Sequence, residues 1–196
     1  MRRPHDRLGI LTALWFLLVL HASGQGTEPT LGNTMNFIAN ALNSRGSISW
    51  AEEFPDVFGA RYSITSSLTE INANSSACSL AWTSVYTSSD DKLIETYLVR
   101  LEMVSSVRVQ PFSEYRQAES QYKVEVSPET YIVEMKTDAP LTRHRELFHK
   151  NKLKSETKLP SDREARIVFS DEQTASKIMD GIRQAAKSCR EAKPGS

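Results

Sequence analysis

"SDEQTASKIMDGIRQAAKSC" (residues 170–189) is the most legible stretch of the chain, and it ends on one of only two cysteines. Ala175, Ile178, Met179, Ile182, Ala185, Ala186 and Cys189 recur at the three- and four-residue spacing of a single helical stripe. Ser170 is placed as the N-cap, with Gln173 three residues on completing a capping box. Asp171 and Glu172 fall in the first turn and Lys187 and Arg190 near the end, each where the helix dipole favours its charge. The spacing predicts a closing helix over 170–191 that buries Cys189.

Working back from the helix, the period changes. "EARIVFS" reads as a strand leading into it. "CSLAWTSVYT" (78–87) alternates, with Cys78, Leu80, Trp82, Ser84 and Tyr86 on one side and Ser79, Ala81, Thr83, Val85 and Thr87 on the other. That is a half-buried strand with one small, largely polar face. The apolar, β-branched run from Lys92 to Phe112 follows, and "SQYKVEVSPETYIVEMKT" reads as two strands around Ser127-Pro128. Near the start, Met35, Ile38 and Leu42 mark an amphipathic helix over 34–45, with Asn33 as N-cap and Gly46 as stop. Helices at both ends and strands between them predict an antiparallel α+β domain.

The first residues set the expected compartment. Arg2, Arg3 and Arg7 precede an apolar run from Leu8 to Leu20, and Ala22 and Gly24 form a small-residue cleavage pattern. This is the composition of a secretory signal peptide over residues 1–24. The run falls short of the roughly 20 residues of a membrane-spanning helix. Residues 25–33 read as a linker and 34–192 as a single domain, with strands filling most of 47–169. The expected location is the periplasm or the extracellular space, with no transmembrane segment in the mature chain.

Charge narrows the partners. The chain carries 24 basic and 24 acidic residues, and without residues 1–24 the balance is 21 against 23. A net charge of about −2 offers no footprint for nucleic acid. One segment departs from this balance. Between Asp138 and Pro160, read as a polar connecting loop, Arg143, Arg145, Lys150, Lys152 and Lys154 outnumber the acids. A basic loop of this kind either binds an anionic ligand, a glycan or an acidic protein partner, or is simply a solvated face.

No catalytic motif is found. The histidines remaining after residue 24, His144 and His149, lie five apart, without the spacing of a helical zinc motif. There is no G-x-S-x-G elbow and no Gly-rich phosphate loop. Glu52-Glu53 and Asp90-Asp91 read as solvated loop acids. No cofactor, metal site or catalytic residue is therefore expected. The function expected is a non-catalytic binding module, the alternatives being a small-molecule carrier with a barrel cavity and an enzyme with an unrecognised site. In an exported chain two cysteines suggest a Cys78–Cys189 bridge, and two inert buried thiols are the other reading.

Three patches carry a resemblance. They are F-S-D-E-x-x-A-x-x-I-x-x-x-I-x-x-A-x-x-x-C from Phe169 to Cys189, C-x-L-x-W at Cys78, Leu80 and Trp82, and T-x-x-F-I-x-x-x-L-N-x-x-G from Thr34 to Gly46. Together the chain resembles uncharacterised secreted bacterial proteins with a pleckstrin-homology-like domain. The resemblance implies an antiparallel β-barrel or sandwich with a helix plugging one end, and it implies no catalytic residues.

Overall fold

The structure, a computed structural model, describes residues 29–159 and 162–192. The signal peptide expected at 1–24 lies outside the described residues. In chain order the elements are α1 (Leu31–Ser44), β1 (Ile48–Phe54), β2 (Ala60–Asn74), β3 (Ser79–Ser88) and β4 (Asp91–Arg100). A 3-10 turn (Leu101–Met103) leads to β5 (Val104–Pro111), α2 (Phe112–Glu119), β6 (Glu125–Ser127) and β7 (Tyr131–Thr137). The chain continues through β8 (Thr142–His149), β9 (Lys152–Leu159), β10 (Glu164–Phe169) and α3 (Glu172–Glu191).

The strands form two antiparallel sheets, one of seven in the order β6-β1-β2-β3-β4-β8-β9 and one of three in the order β10-β7-β5. The class is α+β, and of the expected barrel or sandwich the closed barrel is not there, because neither sheet closes on itself. The chain instead changes sheets repeatedly. The 3-10 turn carries it from the large sheet to the small one. Across the cis Ser127–Pro128 peptide it passes from β6, paired with β1, to β7, paired with β5 and β10. The two strands around Ser127-Pro128 are therefore not partners of each other.

The basic stretch is also not a loop. Thr142–His149 and Lys152–Leu159 pair as a hairpin, with Lys150 and Asn151 at its turn in the left-handed conformation. Polar residues concealed the pattern, since β9 is exposed on nearly every position and has no buried face to impose an apolar alternation.

The inner face of the large sheet can be read row by row. Cross-strand pairs Leu80↔Val99 and Trp82↔Tyr97 are wholly buried, and the Trp82 and Tyr97 rings stack 4.9 Å apart. With Val133, Met135 and Ile167 of the small sheet they form the main core, into which α1 sends Met35, Ile38 and Leu42. The next row, Ser84↔Glu95, is polar, and the row after it, Tyr86↔Leu93, is only partly covered. Strand geometry thus changes the face from apolar to charged within two residue pairs, and this change positions the site.

Helix α3 buries Ala175, Ile178, Ile182, Ala185, Ala186 and Cys189 along the expected stripe, with Gly181 beside them. Gly181 is where α1 crosses closely, since a Cβ there would lie 3.2 Å from Ile38 and 3.3 Å from Phe37. Cys189 bonds to Cys78 with their Cα atoms 5.7 Å apart, pinning α3 to the turn before β3. Arg183 and Arg190 of α3 donate to the carbonyls of Val107 and Val104 on β5, and Arg45 donates to the carbonyl of Val168 on β10.

Both helix starts differ from expectation by a few residues. Asp171, not Ser170, caps α3, its carboxylate accepting from the Thr174 backbone N–H at 2.7 Å. Thr30, not Asn33, caps α1, so residues 31–33 are helical and not linker. Asp171→Ala should therefore cost about 1 kcal/mol. Ser170→Ala should stay within about 0.5 kcal/mol. Urea unfolding midpoints of the two variants distinguish the caps, and equal losses would contradict the assignment.

A candidate ligand cleft between the sheets

Where the inner face turns polar, the two sheets and α2 leave an open cleft of about 380 Å³. Trp50, Ile64, Tyr86 and Leu93 come from the large sheet, Ile132 and Val168 from the small sheet, and Phe112 and Tyr115 from α2. The aromatic wall is ordered by ring contacts, with Trp50 edge-on to Phe112 at 5.2 Å and Phe112 stacked near Tyr115 at 5.9 Å. Four arginines, Arg116, Arg143, Arg145 and Arg166, line the same space with Glu52, Glu95 and Glu119.

Arg116, Arg143 and Arg166 are each held by acids, and Arg145 only shares Glu95 with Arg143. Glu52 alternates inward on β1 after Ile48 and Trp50 and is 5% exposed. Arg116 grips both of its oxygens, Oε2 at 2.9 Å and Oε1 at 3.1 Å, and the Trp50 indole N–H donates to Oε1 at 3.2 Å. Glu52 is thus a buried acid, and only Glu53 of that pair is solvated as expected. The inward placement follows from the two-residue strand period.

Glu95 anchors the other side. It accepts from the Tyr97 hydroxyl at 2.8 Å and is paired with Arg143, which also bonds Asp162. Burial first, and then the Glu95 charge, pushes the Tyr97 hydroxyl far above its ordinary range, so it remains a donor. Burial is also the largest influence on Arg143 and opposes its charge. The Asp162 and Glu95 carboxylates that it bonds outweigh that cost and keep the guanidinium ionised.

Arg166 lies over the Tyr115 ring at 4.8 Å and Arg143 over the Tyr97 ring at 5.3 Å. Stacked guanidinium groups are held flat with their N–H edges directed sideways. Among the described residues, neither the Arg143 nor the Arg166 Nε, both closed off from solvent, has a hydrogen-bond acceptor. Tyr115 is pushed up to about 12, chiefly by burial. Arg145 differs from the others. Its side chain is 48% exposed and its nearest acid, Glu95, is 3.7 Å away and already engaged by Arg143.

The structure divides the residues singled out from the sequence. Arg143 and Arg145 project from β8 into the cleft. Lys150 sits at the hairpin turn 3.8 Å from Asp90, while Lys152 and Lys154 are exposed on β9. Cys78 and Cys189 belong to the main core and do not line the cleft. His149 is 2.8 Å from Asp91, but both side chains are largely exposed at the end of the hairpin.

Sequence reasoning missed Glu52, Glu95 and the whole of α2. Two turns with only Phe112 and Tyr115 buried are too short to show a helical period. Pro111 at its start was the one available signal, because proline favours helix beginnings.

The fold and site together define an α+β domain of two open antiparallel sheets with an arginine- and aromatic-lined cleft between them. Comparisons with protein-family models, with curated proteins and with solved structures find no match for this chain.

Proposed function

We propose that this chain is an exported, non-catalytic binding module whose inter-sheet cleft takes a small ligand with an anionic head and an apolar or aromatic body. The observation that carries the proposal is the convergence of four guanidinium groups on an aromatic wall, with Arg145 incompletely paired. A cleft of about 380 Å³ is within the size range of small-ligand sites, which are mostly apolar with a few placed polar groups. Arg145 is the capturing cation, and Arg143 and Arg166, already stacked and ion-paired, orient the head. The disulfide suits an oxidising compartment. Among the described residues no helix is long and apolar enough to cross a membrane.

The pleckstrin-homology-like relationship is part of the same reading. Antiparallel sheets closed by a C-terminal helix support it, while the seven-plus-three strand division and open sheets depart from the expected barrel. A carrier function through an enclosed barrel cavity has no barrel to house it, and Trp82 and Tyr97 fill the main core.

The test uses the aromatic sulfonate anilinonaphthalene sulfonate as probe. It should bind folded protein at low salt, weaken as salt is raised to about 0.5 M, and bind Arg145→Ala about tenfold less tightly, the loss of one charge-assisted contact. Equal binding by wild type and Arg145→Ala would remove the cleft as the site.

A further inference from the structure

On the opposite face of the large sheet, the β8–β9 hairpin brings His144, Glu146 and Glu156 together, with one donor atom from each within 4.8 Å of the others. His144 and Glu146 are two apart on β8 and so share a face, and Glu156 stands directly across from Glu146 on β9. We propose that these three residues form a divalent-cation site, with zinc as the matching ion, independent of the cleft.

Three observations point to an ion. First, two carboxylates directly opposite on neighbouring strands repel each other. Among the described residues Glu146 has no ion-pair partner, and the one basic group close to Glu156 is the His144 imidazole. Second, His144 Nε2 is closed off from solvent and 3.1 Å from Glu156 Oε1, yet out of line for a hydrogen bond. A short separation without donor-to-acceptor alignment is the relation of two ligands flanking a shared ion. Ligands about 2.0–2.1 Å from zinc sit roughly 3.3 Å apart in tetrahedral geometry. Third, the cluster borders a hollow of about 380 Å³ lined by the hydroxyl-bearing Thr69, Thr83 and Thr96 and by Glu70. Three protein ligands leave zinc a further position, filled by water or an exogenous donor, and here that position opens onto a polar basin.

The donor set selects the ion. Magnesium and calcium take oxygen donors, whereas an imidazole beside carboxylates suits zinc. Glu156 is half exposed and can swing aside to admit it. The basin is pre-set from β2, where a register shift places Glu70 at a φ of +54° and its carboxylate accepts from Thr83 at 2.8 Å.

Zinc chloride titrated into the full chain by calorimetry should saturate at one ion per chain. His144→Ala and Glu156→Gln should each weaken binding by about tenfold or more, at least the loss seen when supporting groups around a metal are removed. His149→Ala should bind as wild type does. In parallel, zinc should shift the imidazole NMR signals of His144 and not of His149 in the unmodified protein, a readout that does not depend on a variant folding. Absence of stoichiometric binding, unchanged affinity in His144→Ala, or a shift at His149 alone would each overturn the proposal. Because Arg145 is not involved, failure here leaves the cleft reading intact, and the reverse.

Discussion

A Cys78→Ala/Cys189→Ala protein is expected to unfold about 4–5 kcal/mol more easily than the oxidised wild type, the chain-entropy value for a loop of this length. The bridge spans 111 residues and encloses eight of the ten strands, β3 to β10. Both cysteines are buried, at 5% and 0% exposure, so each alanine also leaves part of a packed site unfilled. Urea unfolding of oxidised, reduced and doubly substituted protein measures the effect. Reduced wild type should lie close to the double variant. Coincident midpoints for oxidised and reduced protein, or two alkylated thiols in unreduced denatured protein, would refute the bridge.

The second large effect is expected at Glu95. Glu95→Ala should cost about 3 kcal/mol, as when one member of a buried ion pair is removed. The substitution deprives two buried groups at once. The Tyr97 hydroxyl loses its acceptor, and Arg143, 11% exposed, is left with Asp162 alone. Glu95→Gln keeps an acceptor for Tyr97 but not the charge, and should cost clearly less. Unfolding midpoints of both variants decide the matter. A loss from Glu95→Ala under about 1 kcal/mol, the scale of an exposed pair, would show that the row does not depend on it.

These two sites also mark the boundary of what the chain discloses before folding. Cys189 was legible because six other residues of its stripe share one period and one buried face. Cys78, Leu80 and Trp82 were legible because a half-buried strand alternates. Glu95 and Glu52 obey the same alternation, yet a charge at an inward position reads as exposure until its partner is known. Those partners, Arg143 and Arg116, lie 48 and 64 residues away, and no local pattern connects them. The His144, Glu146 and Glu156 grouping has a similar cause, since the third residue arrives only when β9 folds back on β8. Helix α2 is held by packing of Phe112 and Tyr115 against Trp50, Ile132 and Val168 and not by its own periodicity.

The open sheets have one more consequence. A strand at the border of a sheet offers unpaired amide and carbonyl groups to any other chain, and is a template for aggregation unless blocked. A barrel removes the problem by closure, and this protein does not close. It blocks the borders with cations instead. On the small sheet, Arg45, Arg183 and Arg190 occupy carbonyls of β10 and β5. On the large sheet, β6 is only three residues long, and β9 presents Lys152, Lys154 and Lys158 to solvent. The lysines that gave the sequence its appearance of an anion-binding loop thus read more simply as gatekeepers, keeping the last strand from recruiting an eighth.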